Sequence, residues 1–420
     1  MPYDHYWSTS ISYAVGMLDN AEEHTPKIGG TAVTAIALSF AFAAVSSRLY
    51  SLAILPVLLW HIRKLNGLFP SEAVRVISGL IVMAVSGLLF ADFAQMGAIA
   101  KDVWYWFKLT GFTLIGLLLG FQAPSDRSGL DAAAVTATAG LLLAWGLTSA
   151  EVYVPPLGPV MLSVCFLAVG SDWSREHVAL KLFVGIALLL VMAQAQSRTT
   201  WIVAIFALIG VRGAFANARK IFGSVTVMVI IGLIAWRVLP EFDPSNYTFW
   251  GKVRNSLNEL AFVVEDDPTE ITTRWRGFEA IRAFETWKDA GWGERIFGLG
   301  LGTAVDLQVE IELQEGVSFR EVPVLHNGYF MILVKYGVLG VVLFLHFVTL
   351  PFRVPAIDAD PDSTYARNLA TTASLVLLLT MASITGPFNI LMLDGVTLLF
   401  GWSLGMQYRL HRIETDRATP

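Results

Sequence analysis

Residues 327–350, NGYFMILVKYGVLGVVLFLHFVTL, form an apolar run in which Lys335 is the one side chain charged at neutral pH. About 20 such residues in a helix cross the ~30 Å hydrocarbon core of a bilayer. The whole chain has this character: of its 420 residues 55% are hydrophobic and 15% are charged, and the mean hydropathy is +0.59. Soluble domains carry about 25% charged residues. The sequence therefore predicts an all-α, polytopic transmembrane protein.

Similar apolar segments recur along the chain and predict about twelve helices. The two short ones, 49–61 and 199–212, are suited to tilted, broken or re-entrant helices. We expect about nine transmembrane helices in 1–239, a large polar loop at 240–325, about three helices in 326–409 and a tail at 410–420. The segments lie at 30–47, 49–61, 73–93, 103–121, 132–149, 154–170, 178–195, 199–212, 220–239, 327–350, 369–389 and 391–408.

Basic residues predict the orientation, because cytoplasmic connections carry an excess of lysine and arginine. Thirteen lie in alternate connections and the C-terminal tail, whereas the other short connections hold few, chiefly Arg48, Lys101 and Arg198. Both termini are therefore expected in the cytoplasm. The 240–325 block, with 16 acidic and 8 basic residues, is expected outside, and we call it the outer block. A connection of this length is expected to be functional.

Several classes of function are disfavoured by the composition. Cys165 is the single cysteine, so neither an intramolecular disulfide nor a cysteine metal cluster is expected. The net charge of −5 does not suggest nucleic acid, and no His/Asp/Glu set has metal-ligand spacing. The FGLGLGT run at 297–303 lacks dinucleotide-binding spacing and instead predicts a close turn at which the backbone approaches a partner.

Three arginines are candidates for binding an anion. Arg198, in AQSRTTW, lies between two apolar segments. A cation at such a boundary either marks a substrate path or simply extends its side chain to the lipid head groups. Arg274 and Arg276 lie in ITTRWRGFEAIRAF, within a helix predicted over 271–288. Residues two apart do not share a helix face, so at most one of this pair is expected at a given site, and solvated charges are the alternative. The face of this helix that carries Trp275 is suited to the membrane interface.

His326 is the histidine placed where the outer block meets a membrane helix. A histidine accepts a proton near neutral pH, and Asn327 beside it is suited to orient the ring or a sugar hydroxyl. The alternative is a histidine that only satisfies a polar contact. Position alone leaves both interpretations open.

Three separated motifs, taken together, resemble the O-antigen ligase/polymerase family of bacterial cell-envelope glycosyltransferases. The first is Ser197-Arg198 at the start of a helix. The second is Arg274 followed by Phe278, Ala280 and the glycine run. The third is LHNGY at 325–329, followed by Tyr-Gly at 336–337. Three features depart from the family pattern: Phe278 stands where a tryptophan is common, no proline precedes the glycine run, and Arg276 is an extra arginine near Arg274. Either arginine could take the family's role; Arg274 is favoured because Phe278 follows it by four residues.

The resemblance implies a GT-C-like enzyme of the bacterial inner membrane, with its active site facing the periplasm and 240–325 as a periplasmic loop. It would transfer O-antigen from undecaprenyl diphosphate to a sugar hydroxyl of lipid A–core, with inversion and without a cofactor or essential metal. Arg198 and Arg274 would bind the diphosphate, and His326 would take the proton of the acceptor hydroxyl. The further substrate-binding residues would be Arg276, Asn327, Ser197 and Tyr329.

Two other functions remain open on sequence. An O-antigen or exopolysaccharide polymerase would use the same donor with a second lipid-linked repeat as its acceptor. A transporter or flippase would also have about twelve helices and cytoplasmic termini, but it predicts repeated halves and charges at the midplane, and neither is visible.

Overall fold

The computed structural model describes residues 71–122, 127–147, 157–169, 175–195, 197–238, 251, 255, 271, 274–314, 317–354, 361–381 and 390–418. The predicted helices at 30–47 and 49–61 lie outside these residues.

The described part of the chain is mostly helical, as predicted. It contains twelve α-helices, of which ten overlap apolar segments predicted from the sequence, whereas α8 and α9 belong to the 240–325 block. The helices are α1 (Ser71–Leu89), α2 (Met96–Gln122), α3 (Arg127–Leu147), α4 (Leu157–Val169), α5 (Arg175–Ala195), α6 (Arg198–Ile209), α7 (Ala218–Val238), α8 (Trp275–Asp289), α9 (Trp292–Phe297), α10 (Gly328–Val348), α11 (Pro361–Leu379) and α12 (Ile390–Ala418).

The outer block also contains a β-hairpin, which corrects the all-α prediction. Strand β1 (Val305–Gln314) pairs antiparallel with β2 (Val317–Val322). The reason is visible in β1, VDLQVEIELQ, whose strict alternation of apolar and polar residues is the period of a half-buried strand. Across the strands Arg320 donates two hydrogen bonds of 2.9 Å to Asp306, and these bonds lower the pKa of that carboxyl.

Two described helical stretches, Phe93–Phe121 and Gly328–Val348, are long and apolar enough to cross a membrane. Shorter apolar stretches lie at Val74–Leu89, Pro159–Ala168 and Val178–Gln194. Helix α7 leaves large apolar side chains such as Phe222, Ile231 and Val238 exposed. A helix that exposes apolar side chains to this extent is suited to contact lipid.

Helices α2 and α12 approach each other at the distance of backbone contact. Each carries a Gly-x-x-x-Gly pair, Gly116 with Gly120 and Gly401 with Gly405. A Cβ on Gly116 would lie 2.1 Å from the Leu398 carbonyl oxygen. Small residues at this spacing let membrane helices pack closely, so the four glycines set the distance between α2 and α12.

Among the described residues, the buried apolar side chains form two clusters that meet at α10. The larger cluster joins the membrane helices and includes Ile332 and Tyr336 of α10. The smaller one joins α8, the hairpin and the same helix through Met331 and Val334. The first half of α10 therefore packs on the outer block with one side and on the membrane helices with another.

A buried ion pair links α2 to the first half of α10. The Lys335 ammonium donates to Asp102, and both side chains are only 3% exposed. The Gly302 amide donates to the same carboxylate oxygen at 2.8 Å. Unpaired charges are costly in such surroundings. The pair thus ties the glycine run and α10 to one membrane helix.

We predict that Gly116→Ala destabilises the protein, because its new methyl group would overlap the α12 backbone. Relieving that overlap costs about 1–3 kcal/mol, the usual range for overpacking. The measurement is the thermal unfolding midpoint of the purified protein in detergent. Gly223→Ala in α7 is the matched control, since no atom of another described element lies within 4 Å of the place its methyl group would take. Equal midpoints for the two variants would contradict the close packing.

Candidate active site at the starts of three helices

Each of the three sequence motifs lies at the start of a helix. Ser197 caps α6, and its hydroxyl accepts the Thr200 amide at 3.4 Å. Arg274 precedes α8, and its carbonyl accepts the Phe278 amide at 3.1 Å. Asn327 caps α10. Helix starts present unpaired N–H groups and a partial positive charge, which favour anions.

The starts of α8 and α10 are in direct contact. The Trp275 indole N–H lies 3.2 Å from His326 Nδ1. Arg274 is therefore next to the residue that contacts the histidine. Arg276 is the second residue of α8, whereas Arg274 lies just outside the helix, and both side chains are half-buried.

The start of α6 lies at the same end of the molecule. Tyr329 in α10 donates its hydroxyl to the Leu378 carbonyl of α11 at 2.9 Å. At that end of α11, Leu379 and Thr380 face Thr199 of α6 across a shallow apolar groove. The end of α11 thus has α10 against one side and the half-buried Arg198 beside another.

His326 is held by a buried carboxylate. Glu279 Oε2 lies 2.8 Å from His326 Nδ1 and also accepts the His326 backbone N–H at 3.0 Å. The Glu279 side chain is 2% exposed, whereas the histidine side chain is 40% exposed. The ring is therefore anchored on its protein side and open on another.

Glu279 was not among the residues selected from the sequence. The sequence nevertheless indicates which face of α8 it occupies. Trp275, Phe278, Glu279 and Arg282 follow the i, i+3, i+4, i+7 spacing of one helix face. The expected membrane-interface position of the Trp275 face is wrong. Trp275 and Phe278 instead pack on the hairpin and on α10.

Two of the predicted substrate-binding residues also have structural contacts. The Asn327 side-chain oxygen accepts the Tyr329 and Phe330 amides at 3.0 and 3.3 Å, so it caps α10. The Tyr329 hydroxyl donates a hydrogen bond to the Leu378 carbonyl. Within the described ranges no group of three His, Cys, Asp or Glu residues is placed to hold a metal ion.

The glycine run packs against the protein's own helices, the kind of close approach that its sequence predicted. Gly298, Gly300 and Gly302 have φ values of 93°, 97° and 87°, which side-chain-bearing residues rarely adopt. The Leu299 amide donates to Val334 of α10, and the Leu301 amide to Gly87 of α1, each at 2.8 Å. The run therefore fastens the outer block to both helices.

Residues 182–345 match a family model described as O-antigen ligase. The match runs from α5 to α10 and so contains all three motifs and the outer block. It confirms the family predicted from those motifs and supports a membrane-embedded transferase that acts in lipopolysaccharide synthesis. No curated protein matches this sequence.

We predict that Tyr329→Phe lowers stability by about 0.5–1.5 kcal/mol, the net value of one hydrogen bond. The reason is the lost bond to the Leu378 carbonyl, which holds α10 against α11. Chemical unfolding in detergent measures it. Unchanged stability together with a severalfold higher KM for the donor would instead assign the hydroxyl to the substrate.

Proposed function

We propose that this protein is an O-antigen ligase of the bacterial inner membrane, GT-C-like, with its site at the periplasmic face. Its donor is a glycan on undecaprenyl diphosphate, and its acceptor is a sugar hydroxyl of lipid A–core. The transfer inverts the anomeric centre and needs no metal. The family match supports this class of reaction, and the motif residues support its mechanism.

The observation that carries the proposal is the anchored, half-exposed His326. Its Nδ1 faces the buried Glu279, so its other nitrogen, Nε2, is the atom suited to take a proton from a substrate. A general base within hydrogen-bond reach contributes about 10²–10⁴-fold to such a step. A hydroxyl nucleophile requires this help more than the leaving group does.

The leaving group is a lipid diphosphate, whose departure calls for stabilisation of negative charge. Arginine suits this task because its planar guanidinium makes bidentate contacts with phosphate. Arg198 and Arg274 each lie at a helix start, so the helix dipole adds to their charge. Ser197 and Arg276 are the neighbouring candidates for contacts with the same group.

The proposed step is a single displacement. The acceptor oxygen forms a bond to the anomeric carbon as its proton passes to His326 Nε2. The bond between the anomeric carbon and the diphosphate oxygen breaks on the opposite face, and the electron pair leaves with the diphosphate. Positioned donors stabilise the charge as it develops. Release of the proton from His326 completes the cycle.

We predict that His326→Ala lowers glycan transfer by about 10²–10⁴-fold, as expected for loss of a general base. The assay uses purified full-length protein in detergent with polyprenyl-diphosphate glycan as donor. One arm contains lipid A–core and the other contains donor alone. Glycan on lipid A–core, insensitive to EDTA and lost in the variant, is the expected result.

The two arms separate the alternatives. Lengthening of the donor glycan in the second arm would identify a polymerase, in which a second lipid-linked repeat is the acceptor. Intact donor in both arms would favour a transporter or flippase. Wild-type transfer rates in His326→Ala would contradict the assignment of the base. His346→Ala in the inner half of α10 is the control, since His346 instead contacts Arg353 at 2.9 Å.

We predict that Arg274→Gln lowers kcat by about 10²–10³-fold, the range for loss of one oxyanion-stabilising group. Arg276→Gln is expected to have the smaller effect, because that side chain starts from a different face of α8. Arg320→Gln in the exposed hairpin controls for general charge removal. Steady-state transfer assays measure all three. A larger loss in Arg276→Gln than in Arg274→Gln would reverse the assignment.

A further inference from the structure

We infer that Glu279 is the positioning residue of His326: its carboxylate selects the imidazole form with a proton on Nδ1 and leaves Nε2 as the proton acceptor. This inference rests on the proposed role of His326 as base. Glu279 itself touches no reacting atom in this scheme. It acts through the histidine.

The geometry presents His326 Nδ1 with two partners that demand opposite protonation. Glu279 Oε2, at 2.8 Å, accepts a hydrogen bond when the carboxyl is ionised. The Trp275 indole nitrogen, at 3.2 Å, is a donor only. A neutral imidazole carries one ring proton, so Nδ1 satisfies either Glu279 or Trp275 at one time.

Only one of these two choices produces a base. If Nδ1 donates to Glu279, Nε2 has a free lone pair and can take the acceptor proton. If Nδ1 accepts from Trp275, the ring proton lies on Nε2, and that atom cannot act as a base. The shorter contact and the formal charge of the carboxylate favour the first form, because charge-assisted hydrogen bonds are the stronger ones.

The carboxylate is also fixed in place. Glu279 Oε2 accepts the His326 backbone N–H at 3.0 Å, so the same oxygen holds both the main chain and the ring of His326. The side chain is 2% exposed, and within the described part of the chain its Oε1 has no hydrogen-bond partner. Among the described residues, both hydrogen bonds to this buried carboxylate therefore come from His326.

The same contact supports the transition state. When Nε2 takes the acceptor proton, the imidazolium gains a positive charge directly beside the carboxylate. Because the Glu279 carboxylate is buried, that attraction is stronger than between two fully solvated groups. Glu279 thus fixes the ring before the step and stabilises its charged form during it, the role of the third member of a nucleophile–base–acid set.

The test compares Glu279→Gln with Glu285→Gln. Both are isosteric and lie on α8, but Glu285 pairs with Arg282 at 2.9 Å rather than with the histidine. Glu279→Gln is expected to lower kcat by about 10²–10⁴-fold with KM for both glycolipids changed by less than about threefold. Glu285→Gln is expected to retain the wild-type kcat. Glu279→Asp, which keeps the charge on a shorter side chain, is expected to recover part of the loss.

A second readout needs no substrate. Nitrogen-15 spectra of histidine-labelled protein distinguish the two tautomers, and the His326→Gln difference spectrum assigns the signal. Wild-type protein is expected to carry the proton on Nδ1. Glu279→Gln is expected to shift it toward Nε2, because the Trp275 N–H then competes with a neutral partner. Trp275→Phe is expected to keep the Nδ1 form.

Two outcomes overturn the inference: a Glu279→Gln variant with the wild-type kcat, or one with the wild-type tautomer at His326. Failure of the proposed function is a separate result. Wild-type protein that transfers no glycan in either arm would end the ligase and polymerase assignments, while the spectra would still test the link between Glu279 and His326.

Discussion

The packing of the first half of α10 between two apolar clusters is the constraint on which the rest of the structure depends. Met331 and Val334 enter the cluster of the outer block, while Ile332 and Tyr336 enter that of the membrane helices. A helix fixed on two sides can neither rotate nor slide without opening one of its interfaces, since protein interiors are close-packed. His326 lies just before the first turn of α10, so its position is fixed as well.

Other contacts also fix the position of α10. Lys335 binds Asp102 of α2, the glycine run donates to Val334, and Tyr329 donates to the end of α11. These contacts hold α10 against α2, the glycine run and α11, while the Trp275–His326 contact links its start to α8. The starts of α8 and α10, far apart in sequence, are thus in contact, and the start of α6 lies at the same end of α11 as Tyr329.

The positions of the helices outside the 240–325 block were readable from the sequence because each coincides with an apolar run, and no neighbour has to be known to recognise it. The hairpin was equally readable in principle, since apolar and polar residues alternate strictly over 305–314. A search for long apolar runs passes over such an alternating segment. Glu279 was harder to find. The helical spacing places Glu279 on one face with Trp275 and Phe278, but its partner His326 is 47 positions away, and that spacing does not report the contact. The position of Trp275 was mistaken for the related reason that amphipathicity reveals a face without revealing what covers it.

Helix α10 is broken at Gly337, where φ is 66° and ψ is −168°, and the Ile296 carbonyl occupies the space that a side chain would need. The nine residues before the break pack on the outer block as well as on the membrane helices, although hydropathy assigns them to the membrane span alone. A chimera that exchanges outer blocks between relatives would therefore be joined at Gly337 rather than at His326. Joined earlier, it would separate the loop that bears His326 from the half-helix that packs on that block.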